Sequence, residues 1–270
     1  MIGDSLTQTQ ARHQTIIDTV RRQGYVSNEE LARLFDVAVQ TIRRDIRTLD
    51  SLGEVIRHHG GVSAPSSVEN IAYSQRQIRN RREKEAIGET AAAAIPDGAS
   101  LFVNIGTTTE AFARSLADHK GLQVITNNLH VASLLAGSED CRVVVTGGTV
   151  RMRDGGILGS ESLAMLGRYR ADYGVIGISG IEEDGTLLDY DQEEIRASEL
   201  IRENSRKVFL LADHTKFGRR PLVHAGNIAG VSAFFTDRMP PPAIRDQLDK
   251  HDVELVIADG DVRKRTLGLA

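Results

Sequence analysis

The sequence predicts an α/β protein of two parts: a small winged helix-turn-helix at the N-terminal end, then a larger Rossmann-like α/β domain. Three observations predict it. Residues 10–62 carry three apolar repeats at helical spacing, then a short extended segment, Val55–Val62, containing a Gly-Gly pair. From about Glu85 onward, short apolar runs alternate with amphipathic ones, the pattern of a mainly parallel sheet covered on both faces. Gly, Thr, Asn and charged residues collect at the ends of those runs, where such sheets bind ligands.

In the first part, Ile16, Ile17 and Val20 give one helix an apolar face that Gly24 ends. Ser27 or Asn28 can cap a second, in which Leu31, Leu34 and Phe35 recur at helical spacing. A third runs from Val39 to Leu52 and stops at Gly53, after a tight turn over Asp36–Val39. In it Val39, Ile42, Ile46 and Leu49 form one apolar stripe. The opposite face presents Gln40, Thr41, Arg43, Arg44 and Arg47. Arginine can bond guanine through two atoms, glutamine can do the same to adenine, and threonine meets a base or a phosphate. An isolated basic face would read as solvated, but a preceding helix, a tight turn and a following wing suit a major groove. Arg57, His58 and His59 on the wing then suit backbone or minor-groove contacts. As a metal pair the two histidines lack any further clustered ligand.

The expected divisions are 1–62 for the DNA-binding head, 63–84 for a hinge and linker, and 85–270 for the α/β domain. Ser63–Ser67 (SAPSS) looks like the hinge. Arg76–Lys84 follows with five basic residues and one acidic, either a solvated face or a contact to DNA phosphates or another subunit. Strands are expected at Ser100–Ile105, Leu122–Thr126, Cys141–Thr146, Asp172–Ile178, Lys207–Ala212, Ala233–Thr236 and Val253–Ala258. Helices are expected at Thr108–Asp118, Leu129–Ala136, Ser160–Tyr169, Gln192–Asn204 and Pro242–His251.

Composition narrows the class. Hydrophobic content of 40% with 26% charged residues supports ordinary cores. No apolar run approaches the roughly 20 residues of a membrane span, and the start lacks a signal-peptide pattern, so a cytoplasmic protein is expected. One cysteine, Cys141, excludes an internal disulfide and reads as a small residue of a buried strand. The net charge of −4 conceals an asymmetry. Residues 1–84 hold 13 basic against 10 acidic side chains, and residues 85–270 hold 20 against 27. Residues 1–62 alone balance at eight and eight, so any DNA affinity must come from where the charges sit.

The segment Asn104–Glu110 (NIGTTTE) closes the first strand of the α/β domain and opens a helix. Gly106 permits a sharp turn, and Thr107, Thr108 and Thr109 offer amides and hydroxyls where the helix dipole favours an anion. Threonines also cap helices for purely structural reasons. Other strand ends add Asn127, Asn128, Gly147, Gly148, Arg151, Asp189 and Lys216 as candidate effector contacts. A cation such as Arg151 or Lys216 suits a phosphate, and Asn and Asp side chains suit hydroxyls.

The string TIRRDIRTLDSLGEVIRHHGG (Thr41–Gly61) resembles the signature of the DeoR family of bacterial repressors. The similarity extends over about residues 10–240, through QGYVSNEELARLFDV, LFVNIGTTTEA, ITNNLHVA, GGTVRMRDGGILG, GISGIEEDGTLLDYD and ADHTKFGR. One departure is Ala38, where the family usually starts its recognition helix with Ser. Loss of such a cap costs about 1 kcal/mol. The resemblance implies a sugar-phosphate-isomerase-like sensor domain, related to the ribose-5-phosphate isomerase type of fold. It further implies that Gly106–Thr109 hold a phosphate, that Arg151 and Lys216 help, and that Asn127 and Asp189 read a polyol. The subgroup most resembled implies glycerol 3-phosphate as the effector, no cofactor, and a homodimer or homotetramer on double-stranded operator DNA. Two alternatives stay open: a regulator answering another sugar phosphate, and an isomerase-like enzyme using Asp189, Glu193, Glu194 and Lys216 as acid-base groups.

Overall fold

The computed structural model describes residues 2–64, 72–138 and 140–258. The chain forms two compact units, residues 1–67 and 68–270.

The first unit is built from α1 (Ile2–Gln23), β1 (Tyr25–Ser27), α2 (Asn28–Phe35), α3 (Val39–Ser51), β2 (Ile56–Arg57) and β3 (Gly61–Ser63). Gly24 leaves α1 with a φ of 78°, which glycine adopts without strain. Between the two candidates for the second cap, Ser27 is the one used. Its hydroxyl accepts from the Glu30 amide while the Glu30 carboxylate accepts from the Ser27 amide, a closed capping box. Asp36, left-handed at φ 50°, ends α2 and turns the chain into α3. Ile16, Val20, Val26, Leu31, Ile42, Ile46, Leu49, Val55 and Val62 form the core. Leu34, expected in it, is instead exposed, and Ala32 takes the buried position on that helix.

Strand β1, too short to announce itself by alternation, pairs antiparallel with β3, which pairs with β2. It also accounts for the second glycine of the Gly60–Gly61 pair. Gly61 has no positive φ; a Cβ there would strike the Val26 carbonyl and the Tyr25 ring. Close approach of β1, rather than the turn, requires that glycine.

The second unit opens with α4 (Tyr73–Ile78) and α5 (Arg81–Ala92), then β4 (Ser100–Val103), α6 (Thr107–Arg114), β5 (Leu122–Thr126), α7 (Leu129–Leu135) and β6 (Cys141–Val145). A hairpin of β7 (Thr149–Arg151) and β8 (Gly156–Leu158) leads to α8 (Ser160–Leu166) and β9 (Ala171–Gly177). Next come β10 (Gly180–Ile181), β11 (Thr186–Asp189), α9 (Gln192–Glu203), β12 (Ser205–Leu211), β13 (Val223–Asn227), β14 (Ala233–Thr236), α10 (Pro242–Lys250) and β15 (Glu254–Ile257). Seven of these strands form a parallel sheet in the order β15-β14-β12-β9-β4-β5-β6. Successive residues of one strand serve opposite faces. Leu101 and Val103 join Ile87, Phe112 and Val131 in one cluster; Phe102 joins Leu166, Ile201 and Ile244 in the other.

Two expectations are corrected here. Residues 65–67 of the expected hinge lie outside the described residues, but residues 72–84 of the expected linker belong to the second unit. Lys84 is buried there, and α5 packs along α6 so closely that Gly88 lies against the Phe112 backbone. Cys141 is half-buried rather than buried, because β6 is an edge strand.

Replacing Gly88 by alanine would put a Cβ 2.6 Å from the Phe112 amide nitrogen and 2.7 Å from the Ala111 carbonyl carbon. This overpacking should cost about 1–3 kcal/mol, read as a lower urea midpoint. Gly137→Ala, into open space, should change stability by less than about 0.5 kcal/mol.

Candidate functional site

In the first unit, Ile42, Ile46 and Leu49 are buried and Val39 packs against their cluster, so Gln40, Arg43, Arg44 and Arg47 stand exposed with Thr41 half-buried. Asp45 lies on the buried side. Its carboxylate takes Arg12 Nε at 2.7 Å, Arg12 Nη2 at 3.3 Å and His13 Nε2 at 3.1 Å, tying α3 to α1. The expected absence of a cap at Ala38 holds, with no side chain bonding the first turn. Arg57, His58 and His59 are exposed on the β2–β3 hairpin. The Arg57 amide donates to Asp50 Oδ1 at 3.2 Å, and the His58 ring lies 2.7 Å from Ser63 Oγ. Helix and wing are thus braced against each other, with their cationic groups outward.

In the second unit the chain runs from β4 through β5 to β6 in one direction, and from β9 through β12 and β14 to β15 in the other. The two directions part between β4 and β9, and there a crevice opens at the carboxyl ends of the strands. Its lining includes Asn104–Thr108 after β4, Gly177–Ser179 after β9, Asp189 on β11, Glu194 and Ser198 on α9, Lys216 after β12, and Arg76 on α4. Gly106, at a φ of 152°, precedes α6 and no side chain caps that helix, so its first-turn amides remain available to an anion.

Of the expected effector residues, Gly106, Thr107, Thr108, Asp189 and Lys216 come together in this crevice. The others have different neighbours. Thr109 is buried and its hydroxyl donates to the carbonyls of Asn104 and Gly106, both at 2.8 Å. Asn128 caps α7, accepting from the His130 and Val131 amides, and donates to Glu110. Asn127 is fully buried, and neither atom of its amide has a hydrogen-bond partner. Gly148, at φ 125°, closes against the Leu158 carbonyl beside the β7–β8 hairpin, and Gly147 faces open space. Arg151 is held by carboxylates: Asp154 through two bonds of 2.8 Å, Asp191 at 2.6 Å, and Glu194. A guanidinium so compensated offers an incoming phosphate little net charge.

Arg76 and Glu194 also line the crevice, where sequence reasoning did not place them. Arg76 bonds Asp154 at 3.3 Å through Nη2, while its Nε is buried without a partner. Burial, together with Arg219, lowers the Lys216 ammonium to about 7, against the counter-pull of Asp213. Burial would raise Asp213, but Lys216 and Lys84 hold it well below the usual carboxylate range. Burial and the neighbouring Asp189 push Glu194 up to about 7, and burial raises Asp189 as well. The crevice therefore combines available amides and two cations with two carboxylates. Among the described residues, no cluster could hold a metal ion, and no helix is long and apolar enough to cross a membrane.

Residues 12–68 match the DeoR-like helix-turn-helix domain, and residues 79–238 match the DeoR C-terminal sensor domain. The chain belongs to the DeoR family. Among similar DeoR-type proteins, the glycerol-3-phosphate regulon repressor of Escherichia coli K12 is 46% identical over 250 residues, covering 93% of this chain and 99% of that one. The repressor of the same name from Haemophilus influenzae is 44% identical over 252 residues, 93% and 98% of the two chains. The E. coli transcriptional repressor CsqR is 41% identical over 93% and 96%. These relatives are named as transcriptional repressors, not as enzymes. A solved ribose 5-phosphate isomerase A from Methanocaldococcus jannaschii matches at 17% identity with a TM-score of 0.39, over 53% of this chain and 56% of that one. That likeness is too loose to bear on the chemistry of the DeoR crevice.

The lowered Lys216 pKa gives stability a signed pH dependence. The folded chain holds this proton more weakly than the unfolded chain, whose lysine stays near the usual 10.5. Its contribution is therefore most favourable above 10.5 and is lost as pH falls through about 7. Urea unfolding of the wild type and Lys216→Met across that range should show the wild type losing ground to the variant as pH falls, with a constant difference below about 7.

Proposed function

We propose that this DeoR-family chain is an operator-binding repressor released by glycerol 3-phosphate, acting in the cytoplasm as a homodimer or homotetramer. The observation that carries the sensor half is the crevice between β4 and β9. There the uncapped start of α6, Lys216 and the unspent Nε of Arg76 meet, a set that suits a phosphate. Asp189 and Glu194 in the same crevice can accept hydrogen bonds from hydroxyls. Glycerol 3-phosphate has both chemistries, and two of the similar repressors carry that metabolite in their names.

For DNA we assign Gln40, Thr41, Arg43, Arg44 and Arg47 to the major groove, with Arg57, His58 and His59 at the backbone or minor groove. For the effector we assign Gly106, Thr107, Thr108, Asp189, Lys216, Arg76 and Glu194. Release requires only that the ligand prefer the DNA-incompetent arrangement, by about 1–3 kcal/mol of coupling. The same crevice would also fit another small sugar phosphate, and the similar repressor CsqR carries no metabolite in its name.

Operator binding at fixed salt, titrated with three- to six-carbon phosphorylated metabolites, tests the effector. Glycerol 3-phosphate should release DNA at the lowest concentration. Arg43→Ala or Arg44→Ala should weaken operator binding by about 1–3 kcal/mol. A guanine-reading arginine would lose discrimination at one base pair, and a phosphate contact would lose affinity for all sequences alike. Unchanged gel-shift affinity in both variants would overturn the recognition face. Lys216→Ala should bind operator yet fail to release it at concentrations that release the wild type. Effector affinity should also fall as pH rises above about 7, where Lys216 gives up its proton, as isothermal titration would read.

A further inference from the structure

The crevice is not uniformly cationic, and its unevenness says what the far end of a ligand can be. The α6 amides, Lys216 and Arg76 line it together with two carboxylates, Asp189 and Glu194. Arg151 fixes the Glu194 carboxylate through Oε1 and leaves Oε2 without a hydrogen-bond partner among the described residues. Arg151 cannot serve as a cation for the ligand as well, because Asp154 and Asp191 share it. Asp189 accepts from the Tyr190 amide at 2.7 Å through Oδ1, and the Ser179 side chain donates to it too. Both carboxylates are thus held in place as acceptors.

We infer that Glu194, supported by Asp189, makes the crevice select a phosphate ester whose other end carries hydroxyls and reject one whose other end carries a carboxylate. This inference rests on the reading that the crevice holds the effector. A hydroxyl donates into a fixed carboxylate oxygen, and that bond is charge-assisted. A ligand carboxylate cannot donate, and above pH 7 it would be pressed against the like charge of Glu194. Discrimination then comes from an unfavourable term built against the wrong ligand as much as from contacts to the right one. Size has no part in it, since a three-carbon phosphorylated acid and a three-carbon phosphorylated polyol are nearly the same length.

The test compares sn-glycerol 3-phosphate with 3-phosphoglycerate as releasers of operator DNA, with full-length protein at fixed salt and a pH above the 7 at which Glu194 loses its proton. The wild type should require at least about tenfold more of the acid. Glu194→Gln keeps the shape and an acceptor for Arg151 but removes the charge. It should shrink that ratio about tenfold or more, by admitting the acid and weakening the polyol phosphate. Asp189→Asn should shift the ratio in the same direction, and thermal melting of both variants reports whether they fold. Equal response of the wild type to both ligands overturns the inference. So does a ratio unchanged in both folded variants while glycerol 3-phosphate still acts; the effector reading would then survive without it. If no phosphorylated compound acts on the wild type, the effector reading itself fails and this inference falls with it.

Discussion

The sensor unit depends on one constraint, the parting of chain direction between β4 and β9. Neighbouring parallel strands whose connections leave on opposite sides cannot both be covered at their carboxyl ends, so a gap stays open there. The rest of the crevice follows from that gap. Residues 104–108 must turn from β4 into α6 at its edge, and Gly106 supplies a conformation that other residues rarely adopt. The segment leaving β9 forms the opposite wall, and β12, next in the sheet, delivers Lys216 to it. A fold that closed the gap with apolar side chains would be easier to stabilise and would bind nothing.

Such a gap must be kept polar without leaving buried charge uncompensated. Asp213 sits between Lys216 and Lys84 and accepts from Asn80 at 3.0 Å, so a single carboxylate steadies two lysines and the turn before α5. Lys84 in turn donates to the carbonyls of Arg76 and Arg79, fixing the end of α4. No residue of α4 is buried, and its attachments are polar. Tyr73 donates to Glu110 at 2.8 Å and stacks on His130, while Arg76 reaches Asp154. This helix forms part of the crevice wall and is the first described element after residue 64.

The inner strands of the parallel sheet were legible in the sequence because both of their faces are buried, which leaves short apolar runs such as Leu101–Val103 at β4 and Ala233–Phe235 at β14. Strands β1, β7, β8 and β10, of two or three residues each, are too short for any period to show. Arg76–Lys84 reads as a solvated or linking stretch because sequence cannot tell an arginine in water from one facing a carboxylate far along the chain, as Arg76 faces Asp154. The carboxylates that hold Arg151 were hidden for the same reason, since Asp191 and Glu194 lie about forty residues away. The two faces of α3 were legible because its apolar stripe and its exposed arginines are read from one helical period.

Helix α3 carries two acidic residues, and neither faces outward unengaged. Asp45 is turned inward to Arg12 and His13, and Asp50 holds the start of the wing through the Arg57 amide. Both negative charges of that helix are therefore occupied away from its outer surface, while Arg43, Arg44 and Arg47 remain on it. The head's eight basic and eight acidic side chains through Val62 balance, so the cationic character of this surface comes from placement and not from net charge. Such a body has little to gain from an arbitrary polyanion meeting it from an arbitrary side. A duplex approaching α3 would meet three exposed arginines, and that placement of charge would orient the encounter at long range.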